Sequence, residues 1–227
     1  MDRQDTYSGT YSYDYGYSPS TYPYNYVPRG MKFSSEEIKN ILLALAVLTV
    51  AFTIILHDWF SPLLLLDFGV AVVAALTGFL FHELMHKYYA QKFGAWAEFR
   101  SSKFGLLMAF ITSLFGFLLA APGAVYISGN LDRKENGIVS IAGPLTNSAF
   151  SILFLLLAFV FSFNLVAFET LAYISFLDAW LGLFNMIPVP PLDGYKVLRW
   201  NTVNYAVGVL VPLAIIGFLT YMHVGFV

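Results

Sequence analysis

The chain of 227 residues contains no cysteine. A disulfide framework and a thiolate-held metal are therefore both excluded, and any metal must be bound by His, Asp or Glu. Charge is scarce as well: 11% of residues are charged against 58% apolar, where soluble domains average roughly a quarter charged. That imbalance marks a membrane protein. The net charge of −2 exerts no bulk pull toward nucleic acid, so no nucleic-acid partner is expected. The N-terminus lacks the basic-then-apolar arrangement of a cleaved signal peptide, and the first hydrophobic span is expected to stay in the mature protein.

Aliphatic residues are almost missing from residues 1–30, which hold eight tyrosines among Ser, Thr, Gly, Pro and Asn. Such a stretch cannot bury a core, so residues 1–33 are expected to form a disordered Tyr-rich tail ahead of a membrane-embedded domain over 34–227. Ser34 and Glu37 have the spacing of a capping box and start a helix. The apolar run 38–56 is the first span, long enough at about 1.5 Å per residue to cross a ~30 Å hydrocarbon core. Residues 57–62 read as a solvated polar turn with an interfacial Trp59, and Pro62 suits the start of the next helix. The second span, 63–81, carries Asp67, whose expected role is structural, through hydrogen bonding at the helix end.

That second span runs on into His82-Glu83-Leu84-Met85-His86. Positions i and i+4 share one helix face, so His82 and His86 can present nitrogens to a single cation. Glu83 lies beside them, placed to take a proton from water without being a ligand itself. This is the H-E-x-x-H arrangement of zinc hydrolases.

The next apolar stretch, 104–127, is long enough to cross the membrane, and the charge pattern decides whether it does. The twelve basic residues fall into four groups: Arg3, Arg29, Lys32 and Lys39; Lys87, Lys92, Arg100 and Lys103; Arg133 and Lys134; Lys196 and Arg199. All four lie on one face if 104–127 dips in and returns, whereas a crossing moves the last two groups to the other face. The positive-inside rule therefore favours a re-entrant hydrophobic hairpin, packed against protein or lining a wet cavity, and a cytoplasmic N-terminus at the cell membrane. A third span, 136–163, opens with Gly143-Pro144-Leu145-Thr146-Asn147. A fourth, about 165–187, ends in Asn185-Met186-Ile187-Pro188-Val189-Pro190-Pro191-Leu192-Asp193-Gly194, where the prolines forbid regular helix. A fifth, about 205–222, closes an all-α polytopic fold, with His223 read as interfacial.

In this topology the three motifs converge on one face. A catalytic zinc needs three protein ligands and an open position. After His82 and His86, Asp193 is the best third, because unwound backbone can aim its carboxylate inward.

Together, H-E-L-M-H, G-P-L-T-N and N-M-I-P-V-P-P-L-D-G resemble the three signatures of the site-2 protease family of intramembrane zinc metalloproteases. The resemblance covers roughly residues 63–194, in order. It implies one Zn²⁺ per chain on His82, His86 and Asp193, Glu83 as catalytic acid/base, and transmembrane proteins within the lipid bilayer as substrates. It also implies that Asn147 and Asn185 hold substrate or stabilise the oxyanion. The alternative for those two amides is bonding to free carbonyls at broken helix ends. Neither the inserted PDZ domain nor the nucleotide-sensing domains of other members has a counterpart stretch in the sequence. A metal or proton transporter built on the same His and Asp residues is the competing function, but it leaves Glu83 without a role and lacks the inverted repeat that transporters often show.

Overall fold

The computed structural model describes residues 31–57, 63–118 and 121–222. The tail over 1–30, most of the turn after His57, Pro62 and His223 lie outside those residues. Helix α1 spans Ser35–Leu56, and a second continuous helix runs over Leu64–Lys92. The latter is built from α2 (Leu64–Ala74), a wide π turn (Ala75–Leu80) and α3 (Phe81–Lys92). There follow β1 (Trp96–Ser101), α4 (Lys103–Ser113), β2 (Gly123–Ser128), α5 (Arg133–Val160), α6 (Leu165–Asn185), the short α7 (Asp193–Trp200) and α8 (Thr202–Tyr221). Among the described residues, five helices are long and apolar enough to span a membrane: α1, Leu64–Lys92, α5, α6 and α8.

The burial pattern is that of helices packed in lipid. Large apolar side chains point outward, Leu65 and Phe163 each being 83% exposed, where hydrocarbon solvates them as well as a core does. Small residues line the contacts instead. Ala44, Ala51, Ala71, Ala74 and Ala75 are buried where α1 meets α2 and the π turn. Small side chains let backbones approach, and in a bilayer that packing replaces the hydrophobic driving force between helices.

Helix starts follow the sequence with one exchange. Ser34 caps α1, its hydroxyl accepting the Glu37 N–H at 3.1 Å. The Glu37 carboxylate does not return to close a box. It lies fully buried, accepting the Phe99 N–H at 3.0 Å and pairing with Lys87. The complete capping box belongs to α5, where Asp132 accepts from Glu135 N–H at 2.7 Å and Glu135 accepts from Asp132 N–H at 3.0 Å. Lys87, counted among the basic residues at the membrane face, is likewise buried, 1% exposed. Its ammonium also donates to the Lys32 carbonyl and sits 4.0 Å over the Phe33 ring. His57 is not part of a solvated turn either: its Nδ1 lies 2.8 Å from Asp67 Oδ2, tying the end of α1 to the start of α2. Asp67 thereby has the structural role its position suggests.

The expected hairpin at 104–127 is a helix and a returning strand, with a preceding strand that the apolar pattern did not show. β1 and β2 pair antiparallel from Trp96↔Ser128 to Ser101↔Gly123, so the chain between them leaves and returns at one place and does not cross. β1 is hidden in the sequence by Glu98 and Arg100, which neutralise each other at 2.5 Å. Its outer edge is satisfied by α1, because Phe99 N–H goes to Glu37 and Ser101 N–H to Asn40 Oδ1 at 3.0 Å. Antiparallel pairs alternate in hydrogen-bonding direction. Val125 and Gly123, opposite these residues, therefore turn their backbone groups away from β1.

Candidate metal centre

Two imidazoles and one carboxylate meet where α3, α5 and α7 converge. His82 Nε2 and His86 Nε2 lie 2.9 Å apart, and Asp193 Oδ2 is 3.3 Å from the first and 3.1 Å from the second. All three residues are buried. A tetrahedral zinc with nitrogen and oxygen ligands at about 2.0–2.2 Å separates those ligands by about 3.3 Å, so the observed triangle matches a zinc-sized cation.

Each ligand is set by a local reason. His82 Nδ1 meets Asn147 Oδ1 at 3.1 Å, and His86 Nδ1 meets the Val139 carbonyl at 2.7 Å. With both Nδ1 protons committed to oxygen acceptors, both Nε2 lone pairs face the centre. Gly143 on α5 makes the approach possible, since a Cβ there would stand 2.5 Å from His86 Nε2 and 2.6 Å from His82 Nε2. Asp193 opens α7 directly after the proline-rich break, and Gly194 lets that helix start pack onto the Met186 backbone. Burial alone would raise the Asp193 carboxyl. A proton taken up by His86 or His82 beside it, with Lys196 one turn on, holds it below the usual carboxylate range. It thus enters the triangle as an anionic donor.

The chain is 42% identical over 193 residues to MJ0611 of Methanocaldococcus jannaschii, a match covering 84% of this chain and 96% of that one. YwhC of Bacillus subtilis is 30% identical over 165 residues, 62% of this chain and 71% of its own. MJ0392 of M. jannaschii is 27% identical over 131 residues, 58% of this chain and 34% of its own. The first two bear the name zinc metalloprotease provisionally and the third outright. The chain belongs to the site-2 protease family. It is a membrane zinc metalloprotease, and the transporter reading falls with that membership. No family model and no solved structure matches it significantly.

Within the protease, Glu83 sits on α3 between the two histidines. It lies within electrostatic reach of His82, Asp193 and Lys196, and the backbone N–H of Val125 on β2 faces its carboxylate. Asn147 is fully buried; besides His82 it engages the Gly78 carbonyl, to which its Nδ2 donates at 3.1 Å. Asn185 is half-buried and donates to the Leu181 carbonyl at 3.0 Å, at the end of its own helix. Three features of the site escaped the sequence reading: the π turn before His82, the Val139 carbonyl behind His86 and the position of Lys196. Backbone carbonyls carry no sequence signal. Lys196 did carry one, lying one helical turn after Asp193.

Proposed function

We propose that the protein hydrolyses peptide bonds in or near the transmembrane segments of membrane proteins, as in regulated intramembrane proteolysis. The reading rests on one observation: a donor triangle of His82, His86 and Asp193 with edges of 2.9–3.3 Å, enclosed among helices long enough to span a bilayer. In this reading His82, His86 and Asp193 hold one zinc ion and Glu83 is the catalytic acid/base. When bound, zinc supplies Lewis acidity, polarising the scissile carbonyl and bringing the pKa of water toward about 7. Glu83 takes the proton of the attacking water and passes it to the leaving amine.

The substrate must present its bond as extended backbone. The edge of β2 turned away from β1 can receive it by strand addition, which sets substrate backbone beside Glu83. Asn147 and Asn185 each retain a second amide N–H, since the first goes to Gly78 and Leu181 respectively, and these are the proposed donors to substrate or oxyanion. Residues 34–227 constitute the protease domain of a multi-pass cell-membrane protein with a cytoplasmic N-terminus, the orientation that keeps the basic groups inside.

The test is cleavage of a panel of single-span membrane substrates by purified protein in lipid vesicles, comparing wild type, Glu83→Gln and chelator-treated samples. Glu83→Gln is expected to retain zinc by elemental analysis and lose about 10³-fold in rate, and chelated wild type to recover on zinc addition. Zinc-loaded wild type that cuts unstructured soluble peptides but no membrane-embedded segment would overturn the proposal.

A further inference from the structure

The helix that carries His82 and His86 is not uniform. Immediately before α3 it widens into the π turn, with Phe81 N–H reaching back five residues to the Leu76 carbonyl. Relative to continuous α-helix, one extra residue in a turn rotates everything after it by about 100°. His82 faces Gly143 and Asn147 only because the turn is wide. A wide turn is unstable by itself, so something outside the helix must hold it.

Two side chains do so, from opposite neighbours. Asn147 on α5 binds the Gly78 carbonyl. On α6, Asp178 is fully buried, and its Oδ2 lies 3.0 Å from Thr77 Oγ1, inside the π turn. The Thr77 hydroxyl also lies 2.9 Å from the Val73 carbonyl. Its single proton is shared between that carbonyl and Asp178 Oδ2, both of which accept from it. The other Asp178 oxygen, Oδ1, has no hydrogen-bond partner among the described residues and faces Gly78, 3.3 Å from where a Cβ would stand. One turn along α6, Gly182 closes on Asn147, whose Cβ lies 3.1 Å from the position of an added methyl. One face of α6 thus touches both residues that meet at Gly78.

We propose that Asp178 is a positioning residue of the metal centre: through Thr77 it holds the π turn that aims His82 at Asp193. The proposal rests on the metal-site reading above. It reaches the metal in three contacts, from Asp178 to Thr77, along the turn to Gly78 and Asn147, and from Asn147 to His82.

The test uses full-length protein loaded with cobalt(II) in place of zinc, comparing wild type, Asp178→Leu, Asp178→Asn and Thr77→Val. Three quantities are read: the visible absorption of bound cobalt, zinc affinity by chelator competition, and the melting temperature of the metal-free form. Asp178→Leu and Thr77→Val are expected to alter the cobalt bands and weaken zinc about ten-fold, as loss of an outer support does. Asp178→Asn, which keeps an oxygen acceptor for Thr77, is expected to restore both. An unchanged cobalt spectrum and zinc affinity in Asp178→Leu overturns the proposal, even if that variant melts lower, because a purely structural role would do only that. Asp178→Asn behaving like Asp178→Leu overturns the acceptor role, and if Asp178→Leu fails to fold, Thr77→Val decides. Wild type that takes up neither metal would defeat the metal-site reading instead.

Discussion

His86 and Lys87 are neighbours in α3, both buried, and they belong to two different polar clusters. Lys87 faces α1, where its ammonium meets the Glu37 carboxylate and the Lys32 carbonyl, while the other Glu37 oxygen accepts from Phe99. That cluster is balanced: one cation, one anion, and hydrogen bonds for both. His86 faces α5 and α7, where it meets His82 and Asp193. That cluster holds three electron-pair donors turned toward one point, and among the described residues no ammonium or guanidinium makes an ion pair with its carboxylate. Burial of charge is costly on either face. The balanced cluster ties α1, α3 and β1 together, whereas the incomplete one leaves a place for a cation, and this separates a structural polar cluster from a candidate functional one more sharply than residue type does.

Breaking the balance should have the largest effect. Lys87→Met leaves Glu37 buried without its cation and is expected to cost about 3–5 kcal/mol in unfolding, while adding Glu37→Gln recovers much of the loss; chelation of wild type should leave this pair untouched. A double variant no more stable than Lys87→Met would show that the two residues act separately. The second cluster is perturbed by Gly143→Ala, whose new methyl meets both imidazoles. The overpacking cost of about 2 kcal/mol corresponds to roughly thirty-fold weaker zinc, with the melting of the metal-free form little changed. Zinc bound as tightly as by wild type would mean that α3 and α5 separate easily at this point. The smallest effect tests the frame that both clusters share: Ser34→Ala removes the cap of α1 and should cost about 1 kcal/mol, read as melting temperature with zinc affinity unchanged.

Much of this was legible in order along the chain. Long apolar runs must become helices in a bilayer, since no other segment satisfies its own backbone there, and the five spans match the expected ones to within a few residues at their ends. The i,i+4 spacing of His82 and His86 and the helix-breaking prolines before Asp193 likewise act through neighbouring residues alone. β1 was not legible, because its strand character rests on pairing with β2 and on donors from α1 rather than on its own alternation.

By itself, then, the sequence determined the membrane class, the spans and the candidate metal donors, all of which follow from local periodicity and side-chain chemistry. Tertiary structure alone decided that Glu37 faces Lys87 rather than its own helix end. It also decided that Asn147 turns to His82, and that a π turn under Asp178 and Thr77 sets the rotation of the ligand helix. Those choices depend on which groups distant in sequence compete for the same buried donor or acceptor, and that competition exists only once the helices have packed.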